Sequence, residues 1–270
     1  MLLDVDGARF DVVDEGDGTP IVLLHGFPLS KETWNPQAAA LAGGARVVRF
    51  DLRALGSTTV TPGPILMEQL AGDLADVLDA LRIERAVVVG HSLGGYVALA
   101  FFRMFAERCL GLGLVCSRTV IDPPEAADAR RALADRTERE GMQPVLDVFV
   151  PKLFAPAFYG ERPQIVADVS AIMARTEPRG AAAMLRGMAE RVDAGDLFEE
   201  MQLPALVVAG ADDALISVET ATMLAAAVPS ATAEILPCGH MPQYELPAAL
   251  NDVLVRFVGR CAEQRKVHAR

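Results

Sequence analysis

Apolar positions along the chain alternate between two rhythms. Short, nearly continuous apolar runs occur at 8–15 (ARFDVVDE), 21–25 (IVLLH), 46–52 (RVVRFDL), 85–90 (RAVVVG), 110–117 (LGLGLVCS), 204–210 (PALVVAG) and 231–237 (ATAEILP). Runs of that length rich in Val, Ile and Leu predict strands buried on both faces. Between them the spacing turns helical. Leu66, Leu70, Leu74, Val77, Leu78 and Leu81 mark one face of a helix over 65–82. Further helices are expected at 93–107, 217–228 and 246–260. Strands alternating with amphipathic helices predict an α/β protein, with a mainly parallel, doubly wound sheet covered on both faces.

One stretch breaks the rhythm. Residues 118–198 contain no convincing strand. They open with the charged, helix-forming DPPEAADARRALADRTEREG, continue through the proline-cut MQPVLDVFVPKLFAPAF, and end in two helical segments at 161–175 and 180–190. The expected organisation is a core of 1–117 and 199–270, with 118–198 inserted as a helical cap over the sheet's C-terminal edge. Phe149, Phe154 and Phe158 are candidates to line a pocket beneath it, and also to be plain core. The polar tail 261–270 is expected to fray.

Composition narrows the function. The formal charge of -11 disfavours nucleic acid and anionic membrane as partners, since both reward clustered Lys and Arg. No apolar run approaches the ~18 residues of a membrane helix. The N-terminal MLLDVDGARF lacks the basic and apolar regions of a secretory signal. Cys109, Cys116, Cys238 and Cys261 form no C-x-x-C pair. They read as reduced core thiols, which points to a reducing, cytoplasmic compartment. No metal site, P-loop or G-x-G-x-x-G opening a βαβ unit is found, so no cofactor is expected.

The run at 85–90 ends oddly. It stops at Gly90-His91-Ser92-Leu93-Gly94, and a helix pattern resumes at once. As a bare G-x-S-x-G match this is weak. Between a buried strand and a helix it fits a nucleophile elbow, a tight turn that lifts the serine hydroxyl above the sheet edge. The competing reading is a serine that only caps the helix. A serine needs a base and an orienting acid, and on such an elbow the acid and then the histidine follow it along the chain. His240, in the glycine-bounded turn after 231–237, is the candidate base. His25, His91 and His268 are placed less well. The acid lies in GADD after 204–210, where Asp212 and Asp213 adjoin.

Over nearly its whole length the chain resembles the α/β-hydrolase superfamily, in its serine-nucleophile branch. LLHGFP (23–28), FDLRALGST (50–58), GHSLGG (90–95), GADD (210–213) and GH (239–240) carry the resemblance. It implies that Asp213, three residues beyond Gly210, is the acid. It also implies that the N–H groups of Phe27 and Leu93 form an oxyanion hole, and that His25 holds its loop by hydrogen bonds. Ala54 stands where relatives commonly have glycine, so the 51–56 turn is expected to differ in shape. Branches of the fold that cleave epoxides and haloalkanes use aspartate at the elbow and are disfavoured by Ser92. In style the chain is similar to bacterial esterases and the 3-oxoadipate enol-lactonase group. The expected activity is hydrolysis of a small carboxylic ester through an acyl-enzyme. Alternatives are a lactonase, a weakly catalytic binding protein of the same fold, or an acyltransferase. The expected partner is a small-molecule ester or lactone; the oligomeric state stays open.

Overall fold

The computed structural model describes the backbone of residues 1–199, 201–228 and 230–268, and the side chains of all of these except 198, 199, 227 and 265–268. Among the described residues eight strands form one sheet: β1 (Leu2–Val5), β2 (Ala8–Glu15), β3 (Thr19–Leu24), β4 (Ala45–Phe50), β5 (Ala86–His91), β6 (Cys109–Val115), β7 (Ala205–Gly210) and β8 (Ala231–Leu236). Their order across the sheet is β1-β2-β4-β3-β5-β6-β7-β8. Only the β1–β2 and β2–β4 pairings are antiparallel. The rest are parallel, as the unbroken apolar runs predict.

The sheet divides the core by side-chain alternation. Ile21 and Leu23 of β3, with Val87 and Val89 of β5, face one apolar cluster. Val22 and Leu24, with Ala86 and Val88, face the other. This period of two is what a pleated strand imposes. The first face is covered by α1 (Asn35–Leu41) and by the long C-terminal helix, and the second by α2 (Met67–Ala80) and α3 (Leu93–Phe105).

Between β6 and β7 the chain forms α4 (Pro124–Glu140), α5 (Gln143–Phe149), α6 (Pro156–Glu161), α7 (Pro163–Ala174) and α8 (Pro178–Ala189), then the short α9 (Gly195–Glu199). This inserted helical region carries its own apolar cluster, in which Leu153, Phe154, Val169 and Met173 pack with Leu29 and Met241 of the sheet-edge loops. After β7 come α10 (Val218–Ala227), α11 (Pro242–Glu245) and α12 (Pro247–His268). The tail differs from expectation: α12 continues to His268, and only 269–270 lie outside the described residues. Strand β1 is the other difference. It is only four residues long, with Leu3 and Val5 half-buried against the core and Leu2 and Asp4 exposed; pairing with β2 makes the strand. No described helix is long and apolar enough to cross a membrane.

Candidate active site

The loops after β3, β5, β7 and β8 all leave the same C-terminal edge of the parallel strands, the usual place for a site in an open α/β sheet. The loop after β5 is strained. Ser92 sits at φ 51°, ψ -113°, a conformation non-glycine residues avoid. Its neighbours must be glycine. A Cβ on Gly90 would lie 2.0 Å from the Gly94 carbonyl oxygen, and one on Gly94 would lie 2.3 Å from that of Leu24. A Cβ on Gly95 would meet Ser117 Oγ at 2.3 Å. Ser117 Oγ instead donates to the Ser92 carbonyl at 2.8 Å, while the Ser92 N–H donates to Val115 O at 2.9 Å. The turn is thus tied at both ends to β6 and the loop that follows it. Among the described residues Ser92 Oγ itself has no hydrogen-bond partner.

His240 and Asp213 meet from loops 27 residues apart in sequence. His240 Nδ1 and Asp213 Oδ2 are 2.8 Å apart, with both side chains almost wholly buried. Asp213 Oδ1 accepts from the N–H groups of Leu215 (2.8 Å) and Ile216 (3.0 Å). Burial pushes the Asp213 carboxyl up, but His240 and the two N–H donors outweigh it and leave it below the ordinary carboxylate range. An ionised Asp213 requires the proton on His240 Nδ1, which leaves Nε2 as the acceptor. Asp212, which adjoins it, is exposed.

Ser92 and His240 line one cavity of about 60 Å³ with Phe27, Leu29, Phe149 and Leu153. The Phe27 and Phe149 rings meet edge to face, centroids 5.5 Å apart. Of the three candidate aromatics only Phe149 reaches the cavity. Phe154 is buried against Phe158, with ring centroids 5.0 Å apart, and Leu153 takes the place beside the cavity. Among the described residues, the N–H groups of Phe27 and Leu93 have no internal acceptor; for Leu93 this follows from its place in the first turn of α3.

Two histidines that are poor candidate bases prove to be braces. His25 Nε2 accepts from Leu52 N–H at 2.9 Å, so its Nδ1–H points to Gly26 O at 2.9 Å. His91 Nε2 lies 2.8 Å from the carbonyl oxygen of His240. That carbonyl can only accept, so His91 is the Nε2–H tautomer. Its Nδ1 is buried without a partner, and burial lowers its pKa to about 3. The two rings lie 4.9 Å apart. On the other side, His240 N–H donates to Leu153 O at 2.9 Å. Glu245 accepts from Gly239 N–H and Ala155 N–H, both at 2.9 Å. Gly239 has no room for a Cβ, which would sit 2.4 Å from Ala155 N. The His240 turn is therefore clamped between the elbow and the inserted helices by residues that no local motif announces.

In the 51–56 turn Ala54 itself adopts a left-handed φ of 64°, a conformation that glycine would take without a steric cost. Asp51 pins this turn to the loop after β3, accepting from Lys31 N–H (2.7 Å) and Ser57 N–H (2.9 Å).

Cys116, Asp213 and His240 offer ligand atoms within 4.8 Å of one another. The set suits a metal badly. Asp213 and His240 already satisfy each other, and burial raises the Cys116 thiol well above its usual range, so it is not a thiolate. All four cysteines are free and buried, as core thiols should be.

The chain has clear relatives. The enol-lactonase named 3-oxoadipate enol-lactonase 2 from Acinetobacter baylyi is 26% identical over 91% of each sequence. A thermophilic esterase from Thermogutta terrifontis, solved with malate bound, is 33% identical, with a TM-score of 0.92 over 94% of each chain. The enol-lactonase from Burkholderia xenovorans is 27% identical, with a TM-score of 0.90 over 96% of this chain and 100% of that one. The profile of the alpha/beta hydrolase family matches residues 21–253, a span that runs from β3 into α12 and includes every residue of the site; the chain belongs to that family.

Proposed function

We propose that the chain is a serine hydrolase that cleaves a small carboxylic ester through Ser92, His240 and Asp213. The observation that carries this reading is the buried 2.8 Å contact of His240 Nδ1 with Asp213, beside the cavity that also holds the strained Ser92. His240 Nε2 takes the hydroxyl proton as Ser92 Oγ attacks the acyl carbon. The carbonyl oxygen becomes an oxyanion, stabilised by the N–H groups of Phe27 and Leu93, each contributing roughly 3–4 kcal/mol. Asp213 stabilises the imidazolium. As the tetrahedral intermediate collapses, His240 returns the proton to the departing alcohol, leaving Ser92 acylated. Water then attacks the acyl-enzyme with His240 as base, releasing the acid and restoring the serine.

A lactone is an intramolecular ester and follows the same steps; its alcohol stays attached to the acyl chain. The relatives named as enol-lactonases favour this second reading. The inserted helices act as the cap, with Phe149 and Leu153 closing the cavity. The test is hydrolysis of p-nitrophenyl butyrate and of simple lactones by wild type and Ser92→Ala. The variant should lose about 10⁴- to 10⁶-fold in kcat. A folded variant that keeps a tenth of the rate removes Ser92 from the mechanism.

A further inference from the structure

The cavity has an unusual lining. Most of its wall is apolar, but Arg118 and Arg130 also line it. Register explains Arg118. Val115 of β6 pairs with His91 of β5, so residues 116–118 emerge beside the elbow, and Ser117 is hydrogen-bonded to Ser92 itself. Arg130 comes down from α4.

Both guanidinium groups converge on one carboxylate. Asp122 accepts from Arg118 Nη2 on Oδ1 and from Arg130 Nε on Oδ2, the latter at 2.7 Å. A third cation, Arg191, stands 3.6 Å from the same Oδ1, its guanidinium 4.2 Å over the Tyr96 ring. Side-chain exposures are 3% for Asp122, 4% for Arg191, 19% for Arg130 and 23% for Arg118. Three cations thus share one anion in a poorly solvated place. No other carboxylate contacts Arg118, Arg130 or Arg191 among the described residues.

A purely structural ion network should balance its charge, because an unpaired cation in a poorly solvated place is strongly disfavoured. This cluster carries an excess of two positive charges. Donors are also left over: Arg118 Nε is buried without a hydrogen-bond partner, and Arg130 Nη1 has only the Met188 sulfur, 4.0 Å away. Burial lowers Arg191 below the usual arginine range, as a surplus of cations would. The same cavity is lined by Arg118, Arg130 and Ser92.

Resting on the serine-hydrolase reading above, we propose that Arg118 and Arg130 bind a carboxylate of the substrate, so that the preferred substrates are small esters or lactones bearing a free carboxylate. Asp122 holds the two guanidinium groups in place for it. Two guanidinium groups in the lining of one pocket suit a carboxylate better than any neutral group. The apolar side chains that share the lining suit a short hydrocarbon spacer.

The test uses the whole protein and two matched substrate pairs. Mono-p-nitrophenyl glutarate against p-nitrophenyl valerate puts the carboxylate on the acyl half. 4-(Butyryloxy)benzoate against phenyl butyrate puts it on the leaving group. Within at least one pair, wild type should favour the carboxylate by about tenfold or more in kcat/KM, and glutarate should inhibit competitively, less so in high salt. In Arg118→Gln and Arg130→Gln the within-pair ratio should fall about tenfold, read as a ratio so that general losses cancel. No preference in either pair, with no inhibition by glutarate, overturns the proposal, and this wild-type result stands whether or not the variants fold. A ratio unchanged in folded variants also overturns it and leaves the arginines a structural network. Failure of the hydrolase reading looks different: no ester of either pair is turned over, and Ser92 does not react with a fluorophosphonate.

Discussion

His91 should make the fold sensitive to acid. Its ring is wholly buried, donates from Nε2 to His240 O, and has a pKa lowered to about 3, chiefly by burial. In the unfolded chain it titrates near ~6.5. Below that value the unfolded state binds a proton that the folded state refuses, so stability falls as pH falls. The contribution is complete above about pH 6.5 and is lost progressively toward about pH 3. At about 1.36 kcal/mol per pKa unit, lowering the pH from about 7 to about 5 should cost about 2 kcal/mol through this ring alone. Trp34 is the single tryptophan, and its ring centroid lies 6.4 Å from that of His91, so its fluorescence reports unfolding at the right place. Urea unfolding at the two pH values should show wild type losing about 2 kcal/mol more than His91→Asn. His25, also buried with a lowered pKa, contributes equally to both proteins and cancels. The same pH loss in both would mean that the folded protein accommodates a charged His91, and the argument from burial and tautomer would fail.

Other outcomes follow from the same geometry. Asp213→Asn should cost about 10⁴-fold in kcat by setting the wrong His240 tautomer, whereas exposed Asp212→Asn should cost less than about tenfold; assays of both on one ester, with folding checked by circular dichroism, decide the assignment. Gly94→Ala drives a methyl into the carbonyl of Leu24 at 2.3 Å and should destabilise by about 1–3 kcal/mol or more; a urea midpoint equal to wild type would refute the close approach of α3 to β3. Glu245→Gln keeps the size but leaves one acceptor oxygen for two N–H donors and sets an NH2 against the other, so one of the two hydrogen bonds that clamp the His240 turn is lost; kcat should fall several-fold with KM little changed, since the clamp serves geometry and not binding.

The parallel strands were legible because burial on both faces leaves unbroken apolar runs, and the elbow because its glycines have no substitute. The meeting of His240 with Asp213 was legible in part: both follow strands at the same sheet edge, but position alone left Asp212 open beside Asp213, and only the resemblance chose between them. Other features left no local trace. Strand β1, Leu2-Leu3-Asp4-Val5, is too short for its apolar residues to announce a strand. Phe154 and Phe158 could not be told from pocket residues, because an apolar cap cluster and an apolar cavity draw on the same side chains. The His91–His240 brace spans 149 residues, and the Glu245 link to Ala155 spans 90. The arginine part of the cavity lining is hidden for a different reason. Arg118 and Arg130 lie near each other in sequence, but one follows a strand and the other sits on a helix. Only the fold brings both onto the single carboxylate of Asp122.

The most direct test of the central claim is covalent. Diethyl p-nitrophenyl phosphate mimics the tetrahedral intermediate and is attacked only by an activated hydroxyl. Incubated with wild type, it should release about one equivalent of p-nitrophenol per chain, and peptide mass spectrometry should find the diethylphosphoryl group on Ser92 alone. His240→Ala should slow that labelling by orders of magnitude. Absence of labelling in folded protein, or labelling at another residue such as Ser117, would contradict the account.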